Sequence, residues 1–141
     1  MKNTGPLVKS DFEALSEFRY QLRRFLRFSE RAVEQEALTP LQYLLLLHIK
    51  GFPGRESATV GELAERLQAQ PHGVVALISR CEEAGLVVRT PGAQDRRQVN
   101  ISLTKNGDKK LQHLAELHRD ELNSLSGVFK VAHISAYNDR D

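Results

Sequence analysis

The chain has one cysteine, Cys81, in 141 residues, which excludes an intrachain disulfide and points to a reducing compartment. It has no long apolar run. The longest, Leu44 to Leu47, is far too short to cross a bilayer. The opening residues MKNTGPLVKSDF contain no apolar core of the kind a secretory signal needs. A cytoplasmic, soluble protein with no membrane partner is the expectation. Charge of one sign is also lacking, since 20 basic residues face 18 acidic ones and the global balance therefore names no partner. A catalytic set is missing too: there is no nucleophile elbow, no phosphate loop and no close Cys–His pattern. An enzyme is not expected, nor a catalytic residue, a metal or a cofactor. No repeat or low-complexity tract interrupts the chain, and the length suits one domain over 1–141.

The distribution of charge says more than its sum. Between Arg80 and Lys110, seven basic residues stand against four acidic ones. Inside that stretch lies GAQDRRQVNISLT, residues 92–104. A glycine turn leads to Asp95, Arg96 and Arg97, after which Val99, Ile101 and Leu103 alternate with polar residues. That alternation is the period of a strand with one buried face. Two strands are expected, Leu86 to Thr90 and Gln98 to Leu103, with the arginines at the tip of the hairpin.

Helix starts are marked by hydroxyl residues with Glu or Gln three positions later, where each group can satisfy an orphan N–H of the other's turn. Ser10 with Glu13 predicts a first helix running to about Glu36, with Phe12, Leu15, Phe18, Leu22, Phe25 and Val33 along one stripe. Thr39 with Gln42, and Pro40 at the first helical position, predict a second helix ended by Gly51 to Gly54. Thr59 with Glu62 predicts a short third helix ending near Leu67. Gln70 and Pro71 open a fourth that stops at Gly85. Thr104 caps a long final helix with Leu111, Leu114, Leu117, Leu122 and Leu125 on its apolar side, a break near Gly127, and a continuation from Val128 to Ala136. The polar tail from Asn138 is expected to fray.

A short helix joined by a few residues to a second one is the helix-turn-helix plan, and a hairpin directly after it makes the winged variant. The fold expected is mainly α with a small β-hairpin wing, its winged helix-turn-helix core at 38–104. The flanking helices, 10–36 and 105–136, have apolar faces too broad for so small a core, which argues for a homodimer.

On the fourth helix, Val74, Leu77, Ile78 and Cys81 fall at core spacing. The opposite side carries Gln70 and His72 near its start, then Ala76, Ser79 and Arg80, with Val75 beside them. In a helix-turn-helix protein such a helix meets base edges in the major groove of double-stranded DNA. Arg80 could grip guanine, and Val75 and Ala76 could touch thymine methyls. Arg96 and Arg97 suit a narrow minor groove, and Asp95 could hold one of them through a bidentate pair. The bland alternatives are an amphipathic surface helix and a solvated charged turn.

These residues resemble the MarR family of bacterial transcription regulators, whose wing reads Asp-x-Arg, three residues, Val or Ile, one residue, Leu-Thr. Asp95, Arg97, Ile101, Leu103 and Thr104 stand in that register, with Gly107 three positions on. Glu83 to Arg89 looks like the end of the family's recognition helix and its first wing strand. Leu63, Ala64 and Leu67 fit the short helix before it, and Leu38, Thr39 and Gln42 fit the start of the second. The resemblance spans about residues 10 to 136. It implies a homodimeric regulator, expected as a repressor, on a palindromic operator, with a small apolar or phenolic effector bound between the dimer base and the reading head. Phe18, Leu22, Tyr43, Leu47 and His48 are the effector candidates. The pattern departs from the family at Val75 and Ala76, where a Ser or Thr and a polar neighbour are common, and at Cys81, where Leu is usual.

Three features have two readings each. Cys81 is either a small buried hydrophobe or an oxidant switch, and the second needs a thiolate. Arg19, Arg23, Arg27 and Arg31, with Arg24 beside them, form either a solvated face partly paired with Glu30 and Glu34 or a ridge for phosphate or a second protomer. His113 and His118, with Glu116, invite a metal reading, but five positions on an ideal helix turn the two imidazoles about 140° apart. A winged-helix module that binds an acidic partner protein is the rival function.

Overall fold

The structure is a computed structural model that describes residues 5–92 and 94–131, and the side chains among them except at 121, 122 and 124–131. Eight elements follow in order: α1 (Lys9–Gln35), α2 (Pro40–Lys50), β1 (Ser57–Ala58), α3 (Val60–Leu67), α4 (Pro71–Glu83), β2 (Val87–Pro91), β3 (Val99–Leu103) and α5 (Lys105–Val131). The chain divides into two compact units, residues 32–115 and residues 1–31 with 116–141.

In the first unit local chemistry sets the helix boundaries. Both expected capping boxes form at Thr39 and Thr59, each hydroxyl accepting from the N–H three residues on, at 3.2 Å. The carboxyl of Glu62 is pushed up by burial, but its bonds to Thr59 and the charge of Arg55 outweigh this and hold it below its ordinary range. α4 ends in paired bonds, Gly85 N–H to Glu82 O at 3.0 Å and Leu86 N–H to Cys81 O at 2.9 Å, with Gly85 at φ +75 where a side chain would be strained. The same pair of bonds closes α1, where Leu38 N–H reaches Val33 O at 3.2 Å, but the left-handed residue there is Ala37, at φ 61.

The three strands form one antiparallel sheet in the order β1-β3-β2. β1, two residues long, was not expected. It is held by β3, with Ala58 opposite Ile101. The core beneath consists of fully buried Leu45, Leu46, Ile49, Leu63, Ile78, Leu86, Ile101 and Leu114. Each such side chain stabilises the fold by about 1.5–3 kcal/mol relative to exposure. Val74, Leu77, Ile78 and Cys81 all point into it, as the helical spacing predicts.

At the other end of this unit, α5 fastens the close of α1. Lys110 Nζ donates to the Glu36 carbonyl at 3.2 Å, and His113 lies 3.0 Å from the Glu36 carboxylate. Lys50 bridges Asp108 at 2.9 Å and Glu56 at 3.1 Å.

In the second unit His118 is buried, its Nε2 2.7 Å from the Ser29 hydroxyl and its ring edge-on to Phe25 and Phe28. His113 and His118 therefore have separate structural partners. No group of three or more His, Cys, Asp or Glu among the described residues could hold a metal. Phe12, Leu15 and Leu26 of α1 stay exposed, each by about half of its surface. The arginines at 19, 23, 24, 27 and 31 are exposed as well, and among the described residues none pairs with Glu30 or Glu34.

Two sequence expectations need correction. α1 starts two residues earlier than a Ser10 cap implies, because the Asp11 carboxylate reaches back to the Val8 N–H at 3.0 Å, the bond expected of Glu13. α5 continues through Gly127 to Val131 without a break, since one glycine costs a long helix only about 1 kcal/mol. The side chains of Leu122 and Leu125, the stretch 132–136 and the tail from Asn138 lie outside what the structure describes. No helix among the described residues is long and apolar enough to cross a membrane.

Candidate nucleic-acid interface

The wing is a five-residue ladder. Val87 pairs with Leu103, Arg89 with Ile101 and Pro91 with Val99. Its tip is closed by Gly92 N–H to Gln98 O at 2.8 Å and Gln98 N–H to Asp95 O at 3.0 Å. The turn needs glycine at 92, where a Cβ would meet the Asp95 carbonyl at 2.5 Å. Asp95 then accepts from the Arg97 N–H at 3.0 Å and more loosely from Arg97 Nε at 3.4 Å. The expected bidentate pair is therefore a bend held mainly through the backbone. It leaves the Arg97 side chain 93% exposed, and Arg96 is exposed beside it. The hairpin thus presents two guanidinium groups on a fixed turn.

α4 presents its outer side. Gln70 precedes it in extended conformation and forms no side-chain cap, so the first-turn N–H groups stay available to an anion. His72, Val75, Ala76 and Arg80 are exposed. Ser79 is half-buried, and its hydroxyl accepts from Arg89 Nη2 at 2.9 Å, while Arg89 Nη1 lies 3.8 Å from Glu82. Arg89 was absent from the residues picked out of the sequence. Strand alternation was the clue that could have found it. Residues 87, 89 and 91 share one side of the ladder, which turns Arg89 toward α4, although its side chain stays 37% exposed.

α5 is joined to this apparatus through Thr104, whose hydroxyl donates to Gly85 O at 2.6 Å and accepts from Gly107 N–H at 3.0 Å. The last turn of α4, the base of the wing and the first turn of α5 therefore meet at one residue.

This order of short helix, exposed helix and arginine-tipped hairpin is matched beyond this chain. The sequence model of the MarR family matches residues 38–98. Over its winged-helix core, the chain is similar to the MarR family. The transcriptional repressor MdtR of Bacillus subtilis is 34% identical over 83 residues, 59% of this chain and 52% of that one. The transcriptional activatory protein BadR of Rhodopseudomonas palustris is 33% identical over 98 residues, 69% of this chain and 56% of that one. The chain thus spans about half the length of the curated relatives it matches. A structure of a MepR variant of S. aureus bound to an oligodeoxyribonucleotide superposes with a TM-score of 0.65 at 23% identity. It covers 86% of this chain and 84% of that one, which establishes a shared fold.

The remaining candidates are distributed over both units. Phe18 and Leu22 are half-buried on α1, and Leu22 lines a surface hollow with Tyr20, Leu26 and Arg27. Tyr43 is buried and its phenol pushed above its ordinary pKa by burial. Leu47 is exposed. His48 is half-buried, its imidazole held below its ordinary pKa by burial first and by the Arg66 guanidinium second. Cys81 is fully buried, and burial pushes its thiol up to about 11. That favours the reading as a small core hydrophobe, because oxidant chemistry needs a thiolate.

Proposed function

We propose that this chain is a sequence-specific DNA-binding transcription regulator that acts as a homodimer on a palindromic operator. The observation that carries the reading is the wing. Arg96 and Arg97 stand exposed on a turn fixed by Gly92 and Asp95, directly after a helix whose outer side is free. Guanidinium groups on a rigid arm match the enhanced negative potential of a narrow minor groove. His72, Val75, Ala76 and Arg80 enter the major groove and choose the sequence, while phosphate contacts set the register. A MepR variant of the same fold binds an oligodeoxyribonucleotide, which supports a DNA-binding use of this fold.

Two copies are needed because Phe12, Leu15 and Leu26 are left exposed on α1. A second protomer covers them and sets two reading heads about one helical turn apart. A small apolar or phenolic effector, for which Phe18, Leu22, Tyr43, Leu47 and His48 are the residues to vary, releases the duplex by favouring a spacing that no longer fits. Repression is the proposed sense, in line with the name of MdtR. The test begins with selection of genomic fragments bound by the purified protein, then measures their affinity against salt and their effect on a reporter. A defined footprint with steep salt dependence supports the reading. Binding to an acidic protein without duplex affinity supports the rival interaction module, and activation of the reporter reverses the sense.

A further inference from the structure

We propose that Arg89 is a positioning residue that sets the pitch of the wing against α4, with Ser79 as its anchor rather than a reader of bases. The affinity part of this inference rests on the DNA-binding reading above.

The ladder places Arg89 opposite Ile101, on the side of the hairpin that carries buried Val87. The guanidinium is 37% exposed, so its partners fix its direction rather than rescue a buried charge. Both are on α4: Ser79 Oγ at 2.9 Å and Glu82 Oε1 at 3.8 Å, from the two terminal nitrogens of one guanidinium. Ser79 and Glu82 are three residues apart and so lie side by side on the helix surface. A planar fork can hold both, which a single ammonium cannot do in the same geometry. Beyond Val87, among the described residues, the hairpin's main-chain bonds run within the sheet and its own turn. Arg89 thus ties the free part of the wing to the helix that would enter the major groove. Any tilt at this point is carried along the ladder to Arg96 and Arg97. Ser79, sequence-picked as a base contact, uses its hydroxyl as an acceptor for Arg89, which leaves base choice to its exposed neighbours.

The test uses the full chain as wild type, Arg89→Ala, Arg89→Lys, Ser79→Ala and the Arg89→Ala/Ser79→Ala double variant. In the free protein, amide exchange at Gly92, Arg97 and Gln98 should quicken in Arg89→Ala while that of Val74 and Ile78 is unchanged. On selected duplexes, Arg89→Ala and Ser79→Ala should each lose about fivefold in affinity, the scale of one hydrogen bond, with the double variant no worse than Arg89→Ala alone. Sequence preference should be unaltered in Ser79→Ala. Additive losses, a changed base preference in Ser79→Ala, or full affinity in Arg89→Lys with a still-loosened wing would each overturn the proposal in favour of direct DNA contacts. Unchanged exchange at the wing tip in Arg89→Ala would overturn it too. If the wild type binds no duplex, the DNA reading fails by itself, and the exchange measurement still decides whether Arg89 holds the wing.

Discussion

A Cβ on Gly107 would lie 2.1 Å from the carbonyl oxygen of Leu86. The first turn of α5 therefore rests directly on the backbone that joins α4 to the wing, and only glycine permits the approach. Thr104 fixes the same junction from the other side, through Gly85 O and Gly107 N–H. The base of the wing is thus the most constrained part of the interface, and its tip the most open.

Gly107→Ala should force the two backbones apart and destabilise the fold by about 2–3 kcal/mol, the upper part of the range for overpacking. Urea unfolding measures this directly. A midpoint equal to wild type would show that the junction can relax.

Ala37→Gly should act in the opposite direction. Ala37 has φ 61 at the close of α1, where an L side chain costs about 1–2 kcal/mol. Glycine removes that strain but gives up about 0.4–1 kcal/mol to unfolded-state entropy. The net expectation is a gain of about 0.5–1 kcal/mol, read as a raised thermal midpoint. A lowered midpoint would contradict it.

The Cys81 thiol should resist modification in the folded protein. Burial pushes it up to about 11, so almost no thiolate exists at neutral pH. Its neutral form favours the fold. That stability is present below pH 9.0, the ordinary value, and is lost as pH rises through about 11. Iodoacetamide labelling should be slow until urea unfolds the chain, and peroxide should leave duplex affinity unchanged in wild type and in Cys81→Ser alike. Rapid native labelling, or peroxide release in wild type alone, would restore the switch reading.

His48 should titrate below the ordinary histidine range, and Arg66→Ala should raise its pKa by the smaller share, burial being the larger cause. The associated stability is present above about pH 6.5 and is lost as pH falls through the lowered value. NMR titration of the imidazole checks both. An unchanged pKa in Arg66→Ala would remove the charge contribution.

What was legible in the sequence was what neighbours decide. Thr39, Thr59 and Gly85 mark their boundaries because their bonding partners lie three residues away, and Pro71 because it suits only a first helical position. The alternation at Val99, Ile101 and Leu103 announces β3 for the same reason. Ser10 misled because Asp11, one position on, makes the reach-back bond expected of Glu13 and so sets a helix that starts earlier. β1 escaped notice because two residues carry no period and are strands only through β3. At the interface, the arginine tip was visible as composition, but the Arg89–Ser79 tie joins residues ten apart on different elements. Alternation along β2 hints at the side Arg89 takes, but no local pattern encodes its partner on α4.

The most direct test of the central claim is the affinity of wild type and Arg97→Ala for selected duplexes across a salt series. The Arg97 side chain is 93% exposed, so its loss should leave circular dichroism and the thermal midpoint unchanged. The account predicts binding weakened by about tenfold or more, with a shallower dependence of log affinity on log salt, as expected when a guanidinium leaves the duplex. Equal affinity and equal slope for the two proteins would contradict it.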